Sequence, residues 1–128
     1  MAAKAKASAK RAPRAAKKVQ FFQKPNCTTC RKARKFMEKR GFQLYFRDLS
    51  ENRLSPSELE KLIGRRDHTD FLNPRNAVYR KKKMKLKPPA RREAIRMMAK
   101  EPNLIRRPVI VAGGQVVIGF DENGMARL

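Results

Sequence analysis

Cys27-Thr28-Thr29-Cys30 holds both cysteines of this 128-residue chain. Two thiols three positions apart can form and release one disulfide, so the spacing points to thiol–disulfide exchange. Their place in the chain adds to the spacing. Val19-Gln20-Phe21-Phe22 is a short β-prone run that Lys24-Pro25-Asn26 stops. Beyond it, Cys30, Ala33, Phe36 and Met37 recur at helical spacing until Gly41. The pair therefore falls where a strand turns into a helix. Unpaired backbone N–H groups and the positive end of the helix dipole favour a thiolate there. A free thiol of pKa about 8.5 is only about 3% ionised at pH 7, and such surroundings can lower that pKa to about 3.5–7.5. Arg31 and Lys32 add positive charge. Cys27 is the expected nucleophile, Cys30 the expected resolving thiol, and Arg31 a candidate contact for an anionic substrate. Two plainer readings stay open: both cysteines as buried packing residues, or half of a zinc site shared between subunits.

The elements that must position this pair are legible in outline. Phe42 to Phe46 reads as a second strand, so strands one and two, joined by one crossover helix, should pair in parallel. Ser55-Pro56-Ser57-Glu58 starts a helix: Ser55 can cap, Pro56 suits the first helical position and Glu58 closes a capping box. Leu59, Leu62 and Ile63 form its apolar face and Gly64 ends it. Residues 65–88 are ambiguous, with one or two short helices around Pro74. Ala90 to Lys100 reads as a helix with Ala94, Ile95 and Met98 on one face. Pro108–Ala112 and Gln115–Phe120 read as two strands joined through Gly113-Gly114, and residues 124–128 as a closing helical turn. The expected class is α/β, a small mixed sheet with helices on its faces. His68 is expected to be an exposed loop residue.

Composition sets bounds. Lys and Arg number 33 against 11 Asp and Glu, a formal charge of +22, with 41% hydrophobic residues. That supports one modest core. No apolar run approaches a membrane span. Two Cys and one His cannot fill a tetrahedral structural zinc site within one chain. The first eighteen residues carry Lys4, Lys6, Lys10, Arg11, Arg14, Lys17 and Lys18, with no acid and no large apolar side chain. They read as a disordered basic tail, either a solubilising or nucleic-acid-touching arm or, alternatively, an organelle transit peptide. A single domain is expected over 19–128, with a helical insert at about 55–101. The remainder is still strongly basic, and six of the eight residues from Arg80 to Lys87 are cations. Such a run attracts polyanions, though it is also what a solvated face looks like.

The residues resemble the thioredoxin-fold family of glutaredoxin-type arsenate reductases and Spx-type redox regulators, over Val19 to Leu128. Cys27-Thr28-Thr29-Cys30-Arg31-Lys32-Ala33 is similar to the active-site turn of Spx-type proteins. Leu104-Ile105-Arg106-Arg107-Pro108-Val109-Ile110-Val111 resembles the segment that carries the fold's cis-proline. Val117-Ile118-Gly119-Phe120-Asp121-Glu122 resembles the strand and turn that follow. The resemblance implies a thioredoxin-like fold. It makes Cys27 the nucleophile, Pro108 the proline that shapes the substrate groove, and Arg107 and Arg75 the arginines that hold an oxyanion. A guanidinium suits that task because its planar donors grip an oxyanion in pairs. There are departures. Arsenate reductases place a non-Cys residue where Cys30 stands. Their third arginine is replaced by Gly119-Phe120-Asp121, where an aspartate would repel arsenate. Spx-type proteins carry Gly where His68 stands.

The resulting expectation is a cytoplasmic thiol–disulfide redox protein and monomer, with no bound cofactor and glutathione as a candidate co-substrate. Two alternatives accompany it: a redox-sensing regulator that binds RNA polymerase, or nucleic acid through its basic surface, and a glutathione- or glutaredoxin-dependent arsenate reductase.

Overall fold

The computed structural model describes residues 18–128. The basic tail expected at the N-terminus lies, but for Lys18, outside the described residues. In chain order the elements are β1 (Lys18–Gln23), α1 (Thr28–Lys39), β2 (Gln43–Asp48), α2 (Pro56–Ile63) and a 3₁₀ turn (His68–Phe71). Then come α3 (Ala77–Lys81), α4 (Arg91–Lys100), a second 3₁₀ turn (Pro102–Leu104), β3 (Val109–Ala112), β4 (Gln115–Ile118) and α5 (Glu122–Ala126).

The four strands form one sheet in the order β2-β1-β3-β4. β1 pairs with β2 in parallel, with Phe21 opposite Phe46, and with β3 antiparallel, with Phe21 opposite Ile110. β3 and β4 form the hairpin, turning at Gly113 with φ 63°. The mixed sheet is the one the βαβ crossover and the Gly-Gly hairpin require. Boundaries moved by a few residues. β1 takes in Lys18, β2 runs two residues past Phe46, and Phe42 is a buried residue just before that strand.

Alternation along the strands separates two cores. Val19, Phe21, Ile110, Ala112 and Val117 face α1 and α5, where Ala33, Met37 and Met125 meet them. Phe22 and Val109 face the other way, toward Leu59 and Ile63 of α2 and Ala94, Ile95 and Met98 of α4. The central strands are thus covered on both sides, and the molecule has three layers: helices, sheet, helices. The ambiguous stretch before α4 resolves into a 3₁₀ turn and a five-residue helix. Phe71, Leu72 and Met84 pack from it into the α2–α4 core as anchors without helical periodicity. His68 is half-buried, contrary to the expectation of an exposed loop residue. Its Nε2 lies 2.8 Å from the carbonyl oxygen of Pro89, which holds the 3₁₀ turn against the Pro88-Pro89 segment.

Candidate active site

The dithiol sits at the end of β1, where the chain turns into α1. Pro25 and Asn26 make the turn, and Asn26 adopts φ 60°, a left-handed conformation that Asn tolerates better than most residues. Cys27 follows in extended conformation as the N-cap of α1. Its Sγ accepts a hydrogen bond from the backbone N–H of Cys30 at 3.2 Å. A thiol thus stands where Ser or Asp commonly caps, aimed at an otherwise unpaired helix N–H.

The two sulfurs occupy different environments. Cys27 is half-buried, and Cys30 is buried at 2% exposure among Val19, Phe21 and Ala33. Both thiols are free. Burial, then the hydrogen bond to Cys27, push the Cys30 thiol up to about 12; the Lys24 backbone and the Arg107 charge oppose this only in part. Cys30 therefore holds its proton at neutral pH.

Cys27 opens onto a cleft of about 790 Å³. Lys24, Asn26, Thr28 and Thr29 border it on the dithiol side, Asn73, Pro74 and Arg75 on another, and Asn103, Arg106, Arg107, Gly119 and Phe120 on the rest. Four cations and no carboxylate line it. The Arg107 guanidinium acts on Cys30 electrostatically, and its buried Nε has no hydrogen-bond partner. The Lys24 ammonium donates to Asn103 Oδ1, and Asn73 Nδ2 donates to the Asn103 carbonyl at 3.1 Å, which joins two walls of the cleft. Phe120 meets Phe36 edge-on at 6.2 Å between centroids, an apolar rim.

Of the residues singled out in the sequence, the fold brings Cys27, Arg75 and Arg107 to this cleft. Arg31 is not among its lining residues: its guanidinium turns back to donate to Thr28 Oγ1 at 3.3 Å, one helical turn away. Pro108 is buried behind the wall. The Arg107–Pro108 peptide is cis, and the Pro108 carbonyl accepts the Gly119 N–H at 2.7 Å, which sets the hairpin behind the site.

Two features escaped the sequence reading. Asp121 does not face the cleft. It caps α5 by accepting the Gly124 N–H at 3.1 Å, so its charge is not the obstacle to an anion that its position suggested. Arg106 instead reaches the cleft, across Gly119. Gly119 has φ 76°, and a Cβ there would lie 3.2 Å from Arg106 Nε, so the glycine leaves room for the guanidinium. The Gly119-Phe120 pair carried the only signal of this in the sequence: a small residue beside an aromatic where a cation was expected.

The sequence model of the ArsC family matches residues 22–128. The chain belongs to the ArsC family. With its dithiol, it is a thiol redox protein of the thioredoxin fold. Among curated relatives, the global transcriptional regulator Spx of Streptococcus mutans is 30% identical over 107 residues, covering 82% of this chain and 78% of the relative. The Bacillus subtilis Spx is 27% identical over 111 residues, covering 85% of each. Among solved structures, an ArsC family related protein from Bacteroides fragilis superposes with a TM-score of 0.75 at 26% identity, over 85% of this chain and 95% of that one. An arsenate reductase from Vibrio cholerae, at 21% identity and TM-score 0.75 over 87% and 97% of the two chains, shares the fold. The thioredoxin-like fold read from the cysteine turn and the Arg107-Pro108 segment is thus the fold of this ArsC family member. Among the described residues no helix is long and apolar enough to cross a membrane.

Proposed function

We propose that this ArsC family member reduces a disulfide in an anionic thiol compound, with Cys27 as nucleophile and Cys30 as resolving thiol. The observation that carries the reading is the asymmetry of the pair. Cys27 accepts a helix N–H and opens on a cationic cleft, and Cys30 is buried and protonated directly behind it.

Cys27 as thiolate attacks one sulfur of the substrate disulfide. A Cys27–substrate disulfide forms, the substrate S–S bond breaks, and the leaving thiolate takes a proton from water. Cys30 then gives up its proton and attacks Cys27 Sγ. The Cys27–Cys30 disulfide forms and the second substrate thiolate departs. Two electrons pass from the dithiol to the substrate, and an external thiol reductant restores the pair. Arg75, Arg106 and Arg107 hold the substrate's anionic groups beside Cys27, since guanidinium donors match carboxylate geometry. Glutathione, with two carboxylates, suits the cleft as partner or reductant. In this reading the protein works as a monomer in a reducing compartment, the cytoplasm.

The test is mass spectrometry after exposure to glutathione disulfide. The wild-type protein should yield the internal Cys27–Cys30 disulfide. Cys30→Ser should stop at a glutathione adduct on Cys27, and Cys27→Ser should give no adduct. An adduct of equal yield on Cys30 in the Cys27→Ser protein, or no internal disulfide in the wild type, would reverse the assignment.

The Spx relatives support a second reading, in which the same dithiol sets the state of a transcription regulator. Capture of RNA polymerase α subunit by one redox state and not the other would favour it.

A further inference from the structure

Residues 80–87, the last two residues of α3 and the loop that follows it, carry cations that the redox chemistry does not use. Arg80, Lys81, Lys82, Lys83, Lys85 and Lys87 are all exposed, and none of them takes part in an ion pair among the described residues. The loop is held in place rather than loose. Lys83 takes a left-handed turn at φ 51°, Met84 is 3% exposed in the α2–α4 core, and its N–H donates to the Tyr79 carbonyl at 3.0 Å. The Lys87 N–H closes the next turn onto the Lys83 carbonyl at 2.9 Å. Glu93, a carboxylate within the field of Lys82, is already engaged. Arg96 Nη2 lies 2.5 Å from its Oε2, and Lys82 and Lys100 add to the field that keeps it ionised.

We infer that this anchored cationic loop binds the phosphate backbone of double-stranded nucleic acid without reading its sequence. The side-chain chemistry supports each part. Five of the six cations are lysines, point charges on flexible stems that neutralise phosphates but do not grip a base edge in pairs as arginine does. The neighbouring aromatic, Tyr79, packs into the core, so no ring is offered for stacking on unpaired bases. A bilayer surface fits less well. The apolar side chains of α3, Val78 and Tyr79, face the core, and Leu86 at 78% exposure is a single residue, whereas surface helices insert a whole apolar face.

The measurement is fluorescence anisotropy of a short mixed-sequence DNA duplex titrated with the full-length protein at several salt concentrations from about 50 to about 200 mM. The test variant carries K81Q, K82Q, K85Q and K87Q together; Lys83 is spared for its backbone. The cations of residues 1–17 remain in both proteins, so the difference belongs to the loop. The wild type should bind with affinity falling steeply with salt. The variant should bind at least tenfold more weakly, with the logarithmic salt slope shallower by about 3–4. The matching four-arginine variant should restore both, and a cooperative thermal melt no lower than that of the wild type shows that the glutamines have not unfolded the domain. Equal affinity and slope in wild type and glutamine variant would overturn the inference. So would the absence of duplex binding at about 50 mM salt, or tighter binding to phosphatidylserine vesicles than to duplex at matched phosphate.

Discussion

Cys30 sets the pace of the proposed reaction. Its thiol is held near 12 by burial first and by the bond to Cys27 second. A mixed disulfide on Cys27 removes the second cause, but the burial stays. Resolution must still draw a proton from a group that is almost wholly protonated at pH 7. The rate of internal disulfide formation from a pre-formed Cys27 adduct should therefore rise about tenfold per pH unit from pH 6 to 8, as the thiolate fraction does. Stopped-flow release of a chromogenic thiol from that adduct measures it; a rate flat with pH would mean that Cys30 is not the attacking group. At this scale the sequence was informative about chemistry and silent about packing. Cys-x-x-Cys at a strand–helix turn located the pair at the start of α1. Arg106 and Arg107 both line the cleft, and it is Gly119, distant in sequence, that leaves room for Arg106. No local pattern shows that Arg31 folds back on Thr28.

Helix α2 is the element whose start was most legible. Ser55 Oγ accepts the Glu58 N–H at 3.1 Å and Glu58 Oε1 accepts the Ser55 N–H at 3.0 Å, the capping box that Ser-Pro-Ser-Glu spells out. Arg47 was not legible as part of it. From the end of β2 its guanidinium grips Glu58 with two bonds, 2.6 and 3.1 Å, and also donates to the carbonyls of Asn52 and Arg53. Such a partner eleven residues away leaves no periodic trace. Replacing Ser55 with Ala should cost about 1 kcal/mol, read as a loss of about 5 °C in Tm. The bond from Arg47 and the Ser55 N–H hold the Glu58 carboxyl down at about 2, below its ordinary 4.5. A carboxyl lowered in the folded state stabilises above its unfolded pKa and ceases to do so as pH falls through the folded one. Glu58→Gln should therefore melt below the wild type at pH 7, and the gap should close between pH 4.5 and about 2. A gap that persists at pH 2 would assign the effect to the lost shape of the cap rather than its charge. The 65–88 stretch resisted reading for the opposite reason: Phe71, Leu72 and Met84 are single anchors on turns, with neither a 3.6- nor a 2-residue period to report them.

The whole molecule carries +22, and its described residues hold three carboxylate–cation pairs: Arg47–Glu58, Arg91–Glu60 and Arg96–Glu93. Two opposed effects of salt follow. Screening weakens surface ion pairs, each worth about 0–1 kcal/mol, and would lower stability. Screening also relieves the mutual repulsion of the unpaired cations, which a compact state feels more than an unfolded chain. The excess of unpaired cations over pairs decides the sign, because the pairs are few and exposed whereas the repulsion sums over the whole surface. Tm at pH 7 should accordingly climb between about 20 and about 300 mM NaCl, as the Debye length shrinks from about 20 Å to below 8 Å. Sodium sulfate at equal ionic strength should raise it further, by direct association with the cationic surface and by exclusion from apolar groups. Differential scanning calorimetry of wild type and of the four-glutamine loop variant separates the contributions. The variant, with four fewer positive charges on one loop, should start from a higher Tm at low salt and gain less from added NaCl. A Tm that falls with NaCl would show instead that the three ion pairs outweigh the net charge in holding the layers together.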